Sequence, residues 1–315
     1  MKKISLIGSG NIGGELAALV ASKNLADIVL IDIRKGLAEG KALDILQSNS
    51  VHNNHVSISG SSDLKKIKNS DVIIVTAGVT RKPGMSRDDL ISINSAIMKK
   101  IGIAIKHYSP NAFTICVTNP LDVMVWVLKK YSNQKKNLIS GMAGILDSAR
   151  FKHFLSKELK ISHSNIQTMV LGGHGDTMVP LLRYTSINGI PILEFVKNKK
   201  ISMKKLDSII ERTRGGGGEI VSLLKDGSAF YAPAISALEM AESYLLDQNK
   251  LLPCSVYLNG EYGVKNLFVG VPTVIGSSGI KNIIELNLEA NERKNFLNSV
   301  SAVKKLTSKC KKLLV

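Results

Sequence analysis

The apolar run ISLI at residues 4–7 stops at Gly8, and the next six residues, SGNIGG, place glycine at 10, 13 and 14. Apolar residues then recur at helical spacing, as Ile12, Leu16, Leu19 and Val20, and a second apolar run, IVLID, fills 28–32. Strand, tight turn, helix and strand in this length make a βαβ unit. Gly8, Gly10 and Gly13 match G-x-G-x-x-G, a weak signal alone but a physical one between a strand and a helix. The first glycine permits the turn, the second lets a pyrophosphate approach the backbone, and the third lets the helix close on the strand. Free N–H groups and the positive end of the helix dipole then face the phosphates. The expected cofactor contacts are Gly8, Ser9, Gly10, Asn11, Ile12 and Gly13. Asp32 stands nineteen positions after Gly13, at the end of the second strand. A carboxylate there accepts hydrogen bonds from the ribose hydroxyls and repels a 2′-phosphate, which favours NAD over NADP. Arg34 weakens that preference, because an arginine suits such a phosphate.

Two further apolar runs, DVIIVTAG at 71–78 and FTICVTNP at 113–120, end in turn-forming residues, with helical patterns between them. Short apolar strands alternating with helices predict an α/β fold of the Rossmann type, a doubly wound parallel sheet covered on both faces. After about residue 143 the pattern changes. A helix is expected over 147–159, then a strand in TMVLGG at 168–173, hairpin strands at 255–260 and 267–276, and an amphipathic helix with a lysine-rich outer face over 289–314. The 315 residues exceed the usual size of one core. The division expected is 1–143 as a cofactor-binding domain and 144–315 as a mixed α/β substrate domain. Gly215–Gly218 interrupts a helical pattern, and a kink or close helix packing is the expected reason.

The formal net charge is +17. Its lysines lie in short pairs scattered from Lys2 to Lys312, aromatic residues are only 5%, and no basic stretch is interleaved with stacking rings. Nucleic acid is therefore not expected as a partner, although so positive a field helps to draw in dianionic substrates. No apolar stretch has membrane-spanning length, and MKKISLIGSG has no apolar signal-peptide core. Cys116, Cys254 and Cys310 form no C-x-x-C pair and no cluster with zinc spacing. A reducing cytoplasm and no metal are expected.

Among six histidines, His174 stands apart, in LGGHGDTMVP after an apolar strand; the others sit in polar surroundings. A histidine displayed at a glycine-rich turn suits general acid–base work near neutral pH. Asp147 and Arg150, at i and i+3 in ILDSARF, share a helix face. They are either an exposed ion pair or a carboxylate for the histidine beside a cation for an anionic substrate, and Asp176 is an alternative partner for the histidine. Arg81 and Arg87 lie in a loop, AGVTRKPGMSRDDL, with glycine and proline at hinge-like positions. Asn119, at a strand end, is placed to hydrogen-bond substrate or the nicotinamide ribose.

Together GSGNIGG, the strand-end Asp32, TAGVTRKPGMSRDDL, CVTNPLD, LDSARF, GGHGDTMVP and RTRGGGGEIV resemble the lactate/malate dehydrogenase family, in the family's order and over residues 4 to about 233. The resemblance implies a homo-oligomer, tetramer or dimer, that uses NAD to interconvert a 2-hydroxyacid and its ketoacid. It implies that His174 exchanges the hydroxyl proton and that Asp147 orients it. Arg150 would pair bidentately with the C1 carboxylate, and Arg87 would polarise the reacting carbonyl. Asn94 and Val117 would lie along the cofactor, and Asn119 would touch cofactor and substrate. Arginine at 81, and the small-residue pattern around Ala229, resemble the malate branch, which interconverts (S)-malate and oxaloacetate; glutamine at 81 is typical of the lactate branch. A second carboxylate under a closed loop is costly unless a cation meets it. The alternatives are a lactate or broad 2-hydroxyacid dehydrogenase, and a non-catalytic NAD- or nucleic-acid-binding protein that keeps the fold.

Overall fold

The computed structural model describes residues 1–52, 54–80 and 87–314. Six strands come first in the chain: β1 (Lys3–Ile7), β2 (Asp27–Ile31), β3 (Ile58–Ser61), β4 (Val72–Val75), β5 (Phe113–Cys116) and β6 (Ile139–Gly141). Helices α1 (Asn11–Ser22), α2 (Leu37–His52), α3 (Arg87–Tyr108) and α4 (Leu121–Ser132) connect them. All six are parallel, in the order β3-β2-β1-β4-β5-β6. The chain steps outward from β1 through β2 and β3, then returns to its other side at β4. Leu6 accordingly lies between Leu30 and Ile74. A doubly wound sheet opens a crevice at such a reversal, beyond the strand ends.

The strands read as unbroken apolar runs because successive side chains reach opposite, equally covered faces. Ile74, Phe113 and Ile115 join Leu16 and Val20 of α1 in one core, whereas Ile73, Val75 and Cys116 join Met98 of α3 and Val127 of α4 in another. All three cysteines are free and buried. Burial pushes the Cys116 thiol up to about 12, which leaves it a small apolar core residue.

The second half contains α5 (Gly144–Leu159), β7 (Ile166–Gln167), β8 (Val170–Leu171), β9 (Val179–Pro180), β10 (Ser186–Ile187), β11 (Ile190–Pro191), α6 (Ile192–Lys197), α7 (Met203–Leu224) and α8 (Tyr231–Leu245). It closes with β12 (Lys250–Asn259), β13 (Lys265–Gly276), β14 (Gly279–Ile283) and α9 (Ala290–Leu313). A third core lies here, with Phe151 and Leu155 of α5 against Leu206 and Ile209 of α7. The expected hairpin strands form, but they do not build a sheet of their own. β12 pairs antiparallel with β6 at Ser255 and Gly141, so one sheet of nine strands continues through β12, β13 and β14. Alternation and turn residues identify a strand; they do not identify its neighbour. In α9, Phe296, Ser299, Val303, Thr307 and Cys310 are buried at helical spacing, while Lys304, Lys305, Lys309, Lys311 and Lys312 are exposed.

Candidate active site

The GSGNIGG turn sits at the end of β1, beside the sheet's reversal point. Gly8 has φ +107°, and a Cβ there would stand 2.5 Å from the Ala77 nitrogen. A Cβ on Gly13 would stand 1.9 Å from the Gly8 carbonyl oxygen, so the start of α1 lies directly on the turn. Gly10 has open space in front of it, and as the N-cap of α1 it provides no side-chain acceptor for the helix N–H groups. Ser9 Oγ is buried and has no hydrogen-bond partner among the described residues. Asn11 is exposed and Ile12 half-buried at the helix start. Open N–H donors, an unpartnered hydroxyl and a glycine-lined space fit a dinucleotide pyrophosphate. Gly13→Ala is expected to lower the melting temperature by several degrees, because backbone must move to admit the methyl group. NADH affinity should fall with it, and calorimetry with fluorescence titration checks both.

Asp32 Oδ2 accepts from the Ser9 N–H at 2.8 Å, and Oδ1 accepts from the Arg34 N–H at 2.9 Å and from Arg34 Nε at 3.3 Å. Partial burial works against its charge, but the Arg34 and Ser9 N–H groups and the Arg34 guanidinium outweigh it, and its pKa lies below the usual aspartate value. Arg34 is thereby tied to Asp32, and a 2′-phosphate near it would meet the carboxylate as well. Lys41 of α2, which carries no motif, donates from Nζ to the Gly10 carbonyl at 2.8 Å and brings a cation to the turn.

His174 follows β8 in a loop containing Gly172 (φ +90°) and Gly175 (φ +156°). Its Nδ1 lies 2.9 Å from Asp147 Oδ2. The carboxylate makes Nδ1 the donor and leaves Nε2 to exchange a proton. Asp176 is exposed, and Asp147 is only 2% exposed. Burial alone would lower the His174 pKa, and Arg150 lowers it too. The charge and hydrogen bond of Asp147, with the charge of Asp122, more than offset both and raise it above the ordinary histidine value. A hollow of about 260 Å³ opens beside His174 and Asn119, lined also by Leu90 of α3 and Leu306 of α9.

Arg150 is not the exposed partner of a surface ion pair. Its side chain is 14% exposed, and its only ion pair among the described residues is with Asp147 Oδ1 at 3.7 Å. Burial lowers its pKa, and Asp147 opposes that. α7 runs unbroken through Gly215–Gly218. A Cβ on Gly216 would stand 3.1 Å from Arg150 Cδ, so the glycines are the close packing surface that receives this arginine.

Asn94, expected along the cofactor, is fully buried. Its Oδ1 accepts from the Val79 N–H at 2.8 Å, and its Nδ2 donates to the carbonyls of Val79 at 3.1 Å and Asn119 at 2.8 Å. It braces the loops after β4 and β5. Val117 is buried at the end of β5 and Asn119 is exposed two residues later. Arg81 lies outside the described residues, and of Arg87 only the backbone position opening α3 is described. Sequence alone misses the partners of three residues: Lys41, which lies in no motif; Gly216, in RTRGGGGEIV, which seats Arg150; and Asp122, in CVTNPLD, whose Oδ2 accepts from the His174 N–H at 2.9 Å.

Residues 2–141 match the family described as lactate/malate dehydrogenase, NAD binding domain, and residues 145–314 its alpha/beta C-terminal domain. The malate dehydrogenase of Pelagibacter ubique (strain HTCC1062) is 56% identical over 314 residues, 99% of this chain and 98% of that protein. The crystal structure of Cryptosporidium parvum malate dehydrogenase superposes with a TM-score of 0.96 at 46% identity, covering 99% of both chains. The lactate dehydrogenase of Eimeria maxima, solved with NADH and oxamate, gives 0.94 at 46% identity, over 98% of this chain and 95% of that one. The chain belongs to the lactate/malate dehydrogenase family.

Proposed function

We infer that this protein is an NAD-dependent malate dehydrogenase that interconverts (S)-malate and oxaloacetate. The observation that carries the chemistry is the His174–Asp147 contact beside a largely buried arginine. Bound NAD supplies the nicotinamide ring that accepts the hydride from C2 of malate. In that direction His174 Nε2 takes the C2 hydroxyl proton, and Asp147 stabilises the imidazolium that results. In reduction the same nitrogen returns the proton to the carbonyl oxygen. Arg150 donates no hydrogen bond to any described residue, and a planar fork of unpaired N–H groups suits a carboxylate bidentately. Arg87 polarises the carbonyl, Arg81 meets the second carboxylate, and Asn119 contacts both cofactor and substrate. Asn94 acts through the two loops it joins, and Val117 through its backbone. Residues 1–143 hold the cofactor, and residues 144–315 supply the acid–base pair and the C1 carboxylate site.

Several surface features support the finer readings. No described helix is long and apolar enough to cross a membrane, and three free buried thiols suit the cytoplasm. Leu43 and Val51 of α2 and Tyr231 and Ile235 of α8 are exposed, and both helices pack on α1. Exposed apolar side chains of this kind support assembly with further copies.

A lactate dehydrogenase remains the second reading, because a solved lactate dehydrogenase is as alike in sequence as a solved malate dehydrogenase. NADH oxidation with equal concentrations of oxaloacetate and pyruvate decides between them. A strong preference for oxaloacetate is expected, and a preference for pyruvate overturns the substrate assignment. Arg81→Gln should shift the oxaloacetate-to-pyruvate ratio of kcat/KM by about 100-fold or more, because a buried polar partner discriminates by several kcal/mol. An unchanged ratio removes Arg81 from that role.

A further inference from the structure

The loop that presents His174 is anchored from three directions. Gly172 and Gly270 of β13 exchange N–H to carbonyl hydrogen bonds of 2.9 and 3.0 Å. The Gly173 N–H donates to Ser299 Oγ of α9 at 2.9 Å. The His174 N–H donates to Asp122 Oδ2, in the first turn of α4. The other Asp122 oxygen accepts from Ser255 Oγ of β12 at 2.6 Å. Ser255 lies opposite Gly141 on one side and Gly270 on the other. Asp122 is 5% exposed and Ser255 fully buried. One carboxylate thus joins α4, strand β12 of the nine-stranded sheet and the backbone of the proposed acid–base residue.

An anchor needs only an acceptor, and neutral oxygens serve at Gly172 and Gly173. A buried carboxylate is a costly choice, because desolvating it opposes ionisation, and two donors and a helix N-terminus offset that only in part. What a charge adds over a neutral acceptor is stabilisation of a nearby cation. Among the described residues, the charged groups acting on the His174 imidazole are Asp147 and Arg150 of α5 and Asp122 of α4. β13 and α9 meet the loop through Gly270 and Ser299, and Asp176 on the loop itself is exposed. Burial, with the charge of Asp147, raises the Asp122 pKa above the usual aspartate value, and the Ser255 hydroxyl, the His174 N–H and the imidazolium charge oppose that in part, so its carboxylate is most favoured when the His174 ring is charged.

We propose that Asp122, oriented by Ser255, is a positioning residue of the reaction: it fixes the backbone of His174 and supplies the imidazolium with a second negative charge beside that of Asp147. The proposal rests on the reading of His174 as acid and base. Asp122→Asn keeps the size and one acceptor and removes the charge. The His174 ring, followed by NMR titration of the whole protein, is expected to titrate about half a pH unit to one unit lower. The alkaline limb of oxaloacetate reduction should move down equally, and kcat should fall about tenfold as the imidazole loses its fixed position. NADH affinity stays unchanged. A ring titration that does not move overturns the charge role. The NMR readout needs no substrate, so an unaltered protein without oxaloacetate turnover would fail the malate dehydrogenase reading and still leave Asp122 to be judged. Ser255→Ala, which removes one oxygen, decides the matter if Asp122→Asn does not fold. It should slow kcat about threefold or more with the alkaline limb in place, because Asp122 keeps its charge but loses its orientation. An unchanged kcat in Ser255→Ala overturns the positioning role.

Discussion

His174→Asn is expected to lower kcat by about 10²- to 10⁴-fold in both directions, the range that a positioned proton-transfer group contributes. Asparagine is similar in length, and its amide N–H can replace Nδ1–H as the donor to Asp147, so the buried carboxylate keeps a partner. The NADH contacts proposed at the β1 turn and at Asp32 do not involve His174, so fluorescence titration should give an unchanged Kd. The unaltered enzyme carries a pH signature with a definite sign. Asp147 and Asp122 hold the His174 pKa above the ordinary value against burial and Arg150. With His174 as the proposed proton donor, reduction of oxaloacetate needs the imidazolium, so its rate should persist through neutral pH and fall as pH rises through that raised pKa. Oxidation of malate needs the neutral ring and rises over the same interval. His174→Asn should flatten both limbs. A variant with turnover within about fivefold of the unaltered enzyme would remove His174 from proton transfer.

The parts of this site that a sequence displays are those made by backbone close by in the chain. The GSGNIGG turn is legible because its requirement is local: the Gly13 Cβ clashes with a carbonyl five residues earlier. Asp32 is legible because a strand end fixes where its carboxylate goes, and His174 because glycines with positive φ flank it. Asp122 is not legible. Its partners are 52 and 133 positions away, and in NPLD it reads as an ordinary acidic residue of a first helical turn. Gly216 is similar, since nothing near it in the chain announces Arg150. Which sheet β12 joins is also decided at a distance, by a pairing between Ser255 and Gly141. The scattered lysine pairs misrepresent the surface in the same way, for Lys130 and Lys311 meet over one ring, 5.6 and 5.1 Å from the centre of Trp126.

Arg150→Lys keeps the charge and is nonetheless expected to lower kcat/KM by about 30- to 700-fold, from a cost of about 2–4 kcal/mol when a buried charge pair loses its hydrogen-bonding partner, at about 1.4 kcal/mol per tenfold. The guanidinium lies in a slot bounded by Asp147 on its own helix and by the bare backbone of Gly216 and Gly217 on α7. A compact ammonium cannot present two parallel N–H groups to a carboxylate and leaves part of that slot empty. KM should carry most of the loss, because the C1 carboxylate is held in the ground state as well as in the transition state. A lesser fall in kcat should accompany it, since a tilted substrate moves its C2 hydroxyl away from His174 Nε2. Both oxaloacetate and pyruvate carry a C1 carboxylate, so both should lose rate alike and their ratio should hold. That separates Arg150 from Arg81, where the ratio is expected to change. An Arg150→Lys enzyme whose kcat/KM stays within about fivefold would place the substrate carboxylate elsewhere.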